Sequence, residues 1–220
     1  MRYPAVYSDL KGSEATFLDN DGQQVSIVIR GITFSGPSFD ALEPEPESNP
    51  IVLSEFMLNS FGELCACQIE FQISMPLISD AEGANGELTL IILLGAPSEC
   101  GGNQSEGLWL KLSYKEAGYQ AVHAPDYSAD FEDQLLALNR QLPTSLLPKC
   151  CFNCQFSDYS VAGHGYFGSM MCFRNIKKEY SQVRTKEKFM KISDKFERWV
   201  QEIYLCSDFQ KRVPGTGYRG

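Results

Sequence analysis

Cys65-Ala66-Cys67-Gln68-Ile69-Glu70-Phe71-Gln72-Ile73 alternates residue by residue. Cys65, Cys67, Ile69, Phe71 and Ile73 fall on one side, and Ala66, Gln68, Glu70 and Gln72 on the other. Successive side chains of an extended chain point to opposite faces, so this spacing predicts a strand with one face in a core and the other toward water. The two thiols on the inner face read as small core groups, since free cysteine is commonly buried.

Outward from this stretch the chain keeps the same character. Asp19-Asn20-Asp21-Gly22 is a turn, and the β-branched run 23–30 and then 32–34 continue extended before Ser35-Gly36-Pro37. Residues 39–50, with a Pro-Glu repeat, read as an exposed loop. Residues 51–58 and 64–75 are expected as strands, the second stopped by Met75-Pro76. Residues 87–95 form an apolar, central strand. Residues 98–107 are a loop carrying Cys100. Residues 108–114 form a further strand, which pairs with 118–123 through a turn at 115–118. The expected fold class is α+β: an antiparallel β-sandwich or barrel-like body over 1–124. One helix follows at about 129–142, with Asp130, Glu132 and Asp133 in its first turn and Pro143 as its stop. The body, residues 1–148, is followed by a smaller α+β part, residues 149–220.

That smaller part carries the chemistry. Cys151 and Cys154 are two residues apart, and Cys172 and Cys206 follow. Four thiols meeting from such segments would make the closed tetrahedral shell of a structural zinc site. Cys150 is spare, because neighbouring cysteines do not both reach one ion comfortably. His164 could replace a thiol. Cys172 is expected in the first turn of a helix over 170–183 capped by Ser169, where a helix N-terminus favours a thiolate. Residues 199–206 are expected as a strand. A reduced, buried thiol cluster without metal is the competing reading.

Gly163, Gly165 and Gly168 match the spacing of a dinucleotide loop, but no strand–turn–helix surrounds them, so a tight turn beside the cysteines is preferred. Only two histidines are present, and no hydrolase or metalloprotease motif stands out. Asp158, near Cys154, could act as an acid or base, though a turn-capping role is the simpler reading.

Charge divides the chain. Residues 1–148 hold 6 Lys/Arg against 21 Asp/Glu, net −15, and residues 149–220 hold 13 against 7, net +6. The acidic part favours a basic protein partner. The basic stretch runs through Arg174, Lys177, Lys178, Arg184, Lys186, Lys188, Lys191, Lys195 and Arg198. With Phe189, Phe196 and Trp199 interleaved, it admits nucleic-acid binding as a weaker alternative. No apolar run approaches the roughly 20 residues that cross a bilayer. No apolar leader follows Met1, so a cytoplasmic location, without membrane contact, is expected. In a reducing cytoplasm spaced cysteines are metal ligands or buried groups more often than disulfides.

Several stretches together resemble an uncharacterised bacterial family, a domain of unknown function. They are Ala5-Val-Tyr-Ser-Asp9, Arg30-Gly-x-x-Phe34-Ser-Gly-x-x-Phe39-Asp-Ala-Leu42, Cys151-x-x-Cys154-x-x-Ser157-Asp-Tyr159, Phe167-Gly-Ser-x-x-Cys172-Phe-Arg174, and Val200-Gln-Glu-x-Tyr-x-Cys206 with the Pro214–Gly220 end. The resemblance runs the length of the chain and implies a single unit. It touches the same four cysteines, and it brings no activity. The expectation is a non-enzymatic zinc-stabilised protein that binds a macromolecular partner, in the manner of an acidic immunity protein against a basic toxin. An enzyme with its site at the loop of Gly163, Gly165 and Gly168 is the alternative.

Overall fold

The computed structural model describes residues 1–79, 83–114, 122–123, 130–165, 167 and 169–217. The turn expected at 115–118 and the first residue of the helix expected from 129 lie outside the described residues.

Alternation decides the main sheet. β6 (Cys67–Ile78) buries every second side chain from Cys67 to Leu77, so the predicted inward face is the observed one. β1 (Arg2–Asp9) lies on one side of it, followed outward by β2 (Gly12–Asn20), β3 (Val25–Ile29), β4 (Ile32–Gly36) and the short β5 (Glu43–Pro44). On the other side come β7 (Asn85–Leu94), β8 (Glu106–Tyr114) and β9 (Val122–His123). All of these neighbours pair antiparallel. The fold is α+β with mostly antiparallel sheet, and residues 87–95 are central as expected. These strands form one hydrogen-bonded sheet among the described residues, the antiparallel body expected as a sandwich or barrel. β1 and β6, far apart in sequence, pair directly (Ala5 opposite Phe71) and join the two halves.

Three local expectations are corrected. Residues 51–58 are not a strand: Asn49 accepts a hydrogen bond from the Ile51 N–H and Pro50 opens a short helix, α1 (Pro50–Leu53). A side-chain cap followed by proline at the first helical position favours that helix over extension. Pro76 does not end β6. β7 stays paired through Pro76, opposite Asn85. On the other edge β1 reaches only as far as Phe71, opposite Ala5, and β10 (Leu147–Pro148) takes its place opposite Leu77 and Ile78, with the Pro76 carbonyl accepting from the Lys149 N–H. Proline is tolerated where no ladder donor is needed. Cys65 lies outside the strand, because Ala66 adopts φ +53°, yet both Cys65 and Cys67 are buried as expected.

The predicted helix is α2 (Phe131–Gln141). Asp130 accepts from the Asp133 N–H at its start, and Phe131, Leu135 and Leu138 face the core. It packs on β8 and β9. Phe131 belongs to an aromatic group with Phe39, Phe71 and Phe167: Phe39 stacks on Phe71 at 5.5 Å, and Phe167 meets Phe131 at 5.8 Å. Phe167, from the glycine loop, thus anchors the final third into the body.

That third is built on a small antiparallel sheet, β11 (Ser157–Asp158), β12 (Ser169–Cys172) and β13 (Arg198–Gln201). The helix expected over 170–183 does not form at its start. Met170, Met171 and Cys172 pair as a strand with Val200, Trp199 and Arg198; helix appears only at α3 (Lys177–Tyr180) and α4 (Lys186–Met190). The strand expected over 199–206 is confined to β13. Phe156, Phe173, Tyr180, Val183, Phe189 and Ile192 form a second buried cluster beside the main one. No helix among the described residues is long and apolar enough to cross a membrane.

Candidate metal centre and the adjoining acid–base pocket

Backbone pairing brings the cysteine segments together. Cys151 opens a 3-10 turn, and Cys154 closes it by donating its N–H to the Cys151 carbonyl. The Cys151 N–H donates to the Tyr204 carbonyl and the Phe152 N–H to the Glu202 carbonyl, which lays the turn against the segment leading to Cys206. Cys154 bridges Lys211 on its other side. Cys172 stands opposite Ser157 across β11 and β12. Ser157 donates its hydroxyl to the Cys151 carbonyl, tying the turn to that sheet.

The thiols share one electrostatic neighbourhood. Burial pushes the Cys151 thiol far above its ordinary range, and Cys154, Cys150, Cys206 and Cys172 add to the shift in that order. Burial also raises Cys172, against a hydrogen bond from the Arg174 backbone and the charge of its guanidinium. Arg174, and not a helix N-terminus, is therefore the positive neighbour of Cys172. The other three predicted ligands, and Cys150, thus lie within electrostatic reach of Cys151. As the side chains stand, no group of three or more His, Cys, Asp or Glu among the described residues is spaced to hold a metal ion. The donor set suits zinc, while the spacing does not close a shell. His164 finds its contacts with Glu132, Tyr159 and Gly165.

Glu132, Tyr159 and His164 line a pocket of about 220 Å³, with Asp158, Ser160 and Gly163 among others. His164 is half-buried. Its ring stacks on Tyr159 at 4.3 Å, its Nε2 is 3.2 Å from Glu132 Oε2, and its Nδ1 is 2.9 Å from the Gly165 carbonyl. Asp158 is not a loop cap. It sits fully buried on β11 and accepts the Tyr180 hydroxyl at 2.8 Å. Tyr159 donates its hydroxyl to buried Glu202 at 3.0 Å. Arg212 donates to the Ser157 carbonyl and to the Thr216 carbonyl, which holds the tail so close that a Cβ on Gly217 would collide with the Tyr180 hydroxyl.

Both ring nitrogens of His164 face oxygen atoms, those of Glu132 and of the Gly165 carbonyl. The loop of Gly163 and Gly165 leads into strand β12 and not a helix, so it does not form a dinucleotide cradle. In the basic stretch, Arg174 pairs with Glu197 and Asp208, Lys191 with Glu187 and Lys195 with Glu179. Three of the nine basic residues read as a nucleic-acid face are thus paired within the fold. Trp199 is half-exposed and packs on Phe196 at 4.8 Å.

A family model described as a family of unknown function (DUF6304) matches residues 1–157, and the chain belongs to that family. The match takes in the whole main sheet together with Cys151 and Cys154, and stops before Cys172 and Cys206. No curated protein and no solved structure matches the chain.

Proposed function

We propose that this member of the family is a non-enzymatic cytoplasmic protein of bacteria. Its acidic body, residues 1–148, binds a basic protein partner. Its final third, residues 149–220, is fastened by one structural zinc held by Cys151, Cys154, Cys172 and Cys206. The observation that supports the metal half is the backbone pairing that lays the segments of Cys172 and Cys206 alongside the turn of buried Cys151 and Cys154. The strands there are two to four residues long, too short to hold the segments by ladder alone. A bound cation would hold the four sulfurs as thiolates and tie these segments together. No three of these groups are spaced for an ion as the side chains stand, so binding requires them to move. The partner half rests on the net −15 of the body, which attracts a basic surface over long range and repels nucleic acid.

Elemental analysis of the purified chain tests the metal. About one zinc per chain is expected, removed by a strong chelator together with the amide signals of residues 149–217 and restored on adding zinc. Cys172→Ser should lose the metal, and Cys100→Ser, at an exposed loop position, should keep it. A metal-free chain with those signals intact, or full zinc affinity in Cys172→Ser, overturns the assignment.

A further inference from the structure

A different surface, at the edge of the body, bears on the partner. A cavity of about 320 Å³ opens between the turn after β1 and the segment after α1, lined by Tyr7, Asp9, Leu10, Phe56, Met57 and Cys65 among others. Its volume lies at the lower end of ordinary ligand pockets, roughly 300–1,000 Å³, which is room for one or two side chains.

Its walls are held firmly. Arg30 makes a two-pronged ion pair with Asp9 at 2.7 and 2.8 Å, and its guanidinium lies over the rings of Tyr7 and Phe56. Tyr7 donates its hydroxyl to the same carboxylate at 3.0 Å. Arg30 and Ala66 have φ of +49° and +53°, the two positive values at non-glycine positions among the described residues. Arg30 braces the cavity through Asp9, and Ala66 lines it. Left-handed backbone at ordinary residues persists where the surroundings over-determine it, and such residues gather at binding sites.

Its rim carries two exposed apolar side chains, Leu10 at 94% and Met57 at 48%, with Glu55 beside them. Met57 and Glu55 belong to the segment around α1 that bounds the cavity. That segment, residues 39–66, carries Asp40, Glu43, Glu45, Glu47, Glu55 and Glu63 and no Lys or Arg. Lys11, at the cavity mouth, lies 3.5 Å from Glu55, and Arg30 is taken up by Asp9.

We infer that this cavity and its rim are the docking surface for a basic amphipathic segment of a protein partner, one apolar side chain entering the cavity while its lysines or arginines face the surrounding carboxylates. The inference rests on the basic-partner reading above and gives that reading a place. Exposed apolar anchors supply affinity, and complementary charge supplies steering and discrimination against acidic segments.

The test uses the full chain with labelled methionine and leucine methyl groups and two synthetic helical peptides of equal positive charge, one of Leu and Lys, the other of Ser and Lys. At low ionic strength the Leu/Lys peptide should bind saturably and shift the Leu10 and Met57 methyl signals. The Ser/Lys peptide should bind at least about 10-fold more weakly, and so should the Leu/Lys peptide to the double variant Leu10→Ser, Met57→Ser. Met190→Ser, at an exposed position of the final third, should leave affinity unchanged. All three substitutions are at exposed positions, so the fold is kept. Binding that shifts methyl groups elsewhere, or that ignores the double variant or the apolar face of the peptide, overturns the docking surface and leaves the basic-partner reading in place. Absence of binding by either basic peptide overturns both.

Discussion

From Arg2 to Tyr114 the seven main strands run five to twelve residues, and their inward side chains are nearly all aliphatic or aromatic. From Ser157 to Gln201 the strands run two to four residues. The interior around them holds Asn153, Ser157, Asp158, Gln201, Glu202 and Thr216, six of the nine buried polar residues among those described. The body is stabilised by area removed from water, which is not directional. The final third depends on individual partners, each costly to lose, because a buried polar group without its hydrogen bond carries the whole desolvation penalty. The proposed zinc would belong to the second kind of interior, where one bond can replace many small contacts.

The largest expected effect lies in the body. Phe71 is buried between Tyr3 and Phe39, and its strand joins the two halves of the sheet. Phe71→Ala should cost about 3–5 kcal/mol. Because Phe167 of the glycine loop packs on Phe39, the final third should lose protection from hydrogen exchange together with the body in this variant. Retention of native protection around Cys172 would show that the two regions do not share a core.

This division also explains what was legible in the sequence. The body's strands follow from alternation, since each residue's face is set locally. Where local pattern and long-range pairing compete, the sequence misleads. Phe173, Ile176, Tyr180 and Val183 have helical spacing, and all are buried or half-buried, but Met170 to Cys172 are claimed by β13, whose residues begin 26 positions after Cys172. The period reported burial, not helix. The buried carboxylates were invisible for a related reason. Asp158, Glu202 and Glu132 look like surface charges until Tyr180, Tyr159 and His164 reach them, across 22, 43 and 32 residues. The cysteine spacing could be read as a motif, but the approach of its segments depends on hydrogen bonds to the Tyr204 carbonyl and from the Ser157 hydroxyl that no spacing reveals.

A smaller effect separates the two interiors more sharply. Tyr180→Phe removes the hydroxyl that donates to Asp158 and leaves the ring packed on Phe173 at 4.8 Å. Apolar area is nearly unchanged, so the loss, about 1–3 kcal/mol, is that of a donor to a buried carboxylate. It should appear as faster hydrogen exchange in the final third, with the sheet's strands unaffected. Equal acceleration in β6 and β7 would mean that the polar interior is not a separate unit.

The smallest effect belongs to the body's one over-determined ion pair and is set by pH. The Arg30 hydrogen bond, helped by the Lys11 N–H and the Tyr7 hydroxyl, lowers Asp9 from 3.8 to about 2 against the opposing pull of burial. A carboxylate whose folded value is depressed stabilises the fold fully above its unfolded value. That contribution fades as pH falls from 3.8 and is gone once pH passes below about 2. Solvent reaches the pair, so its contribution is about 1 kcal/mol and not the full shift. Asp9→Asn should therefore lower stability by about that much at neutral pH. It should also flatten the acid limb of a denaturant-midpoint series between pH 4 and pH 2, where wild type loses what the variant never had. An acid limb of equal slope in both proteins would place the responsible carboxylate elsewhere, and would weaken the case that Asp9 and Arg30 brace the cavity beside them.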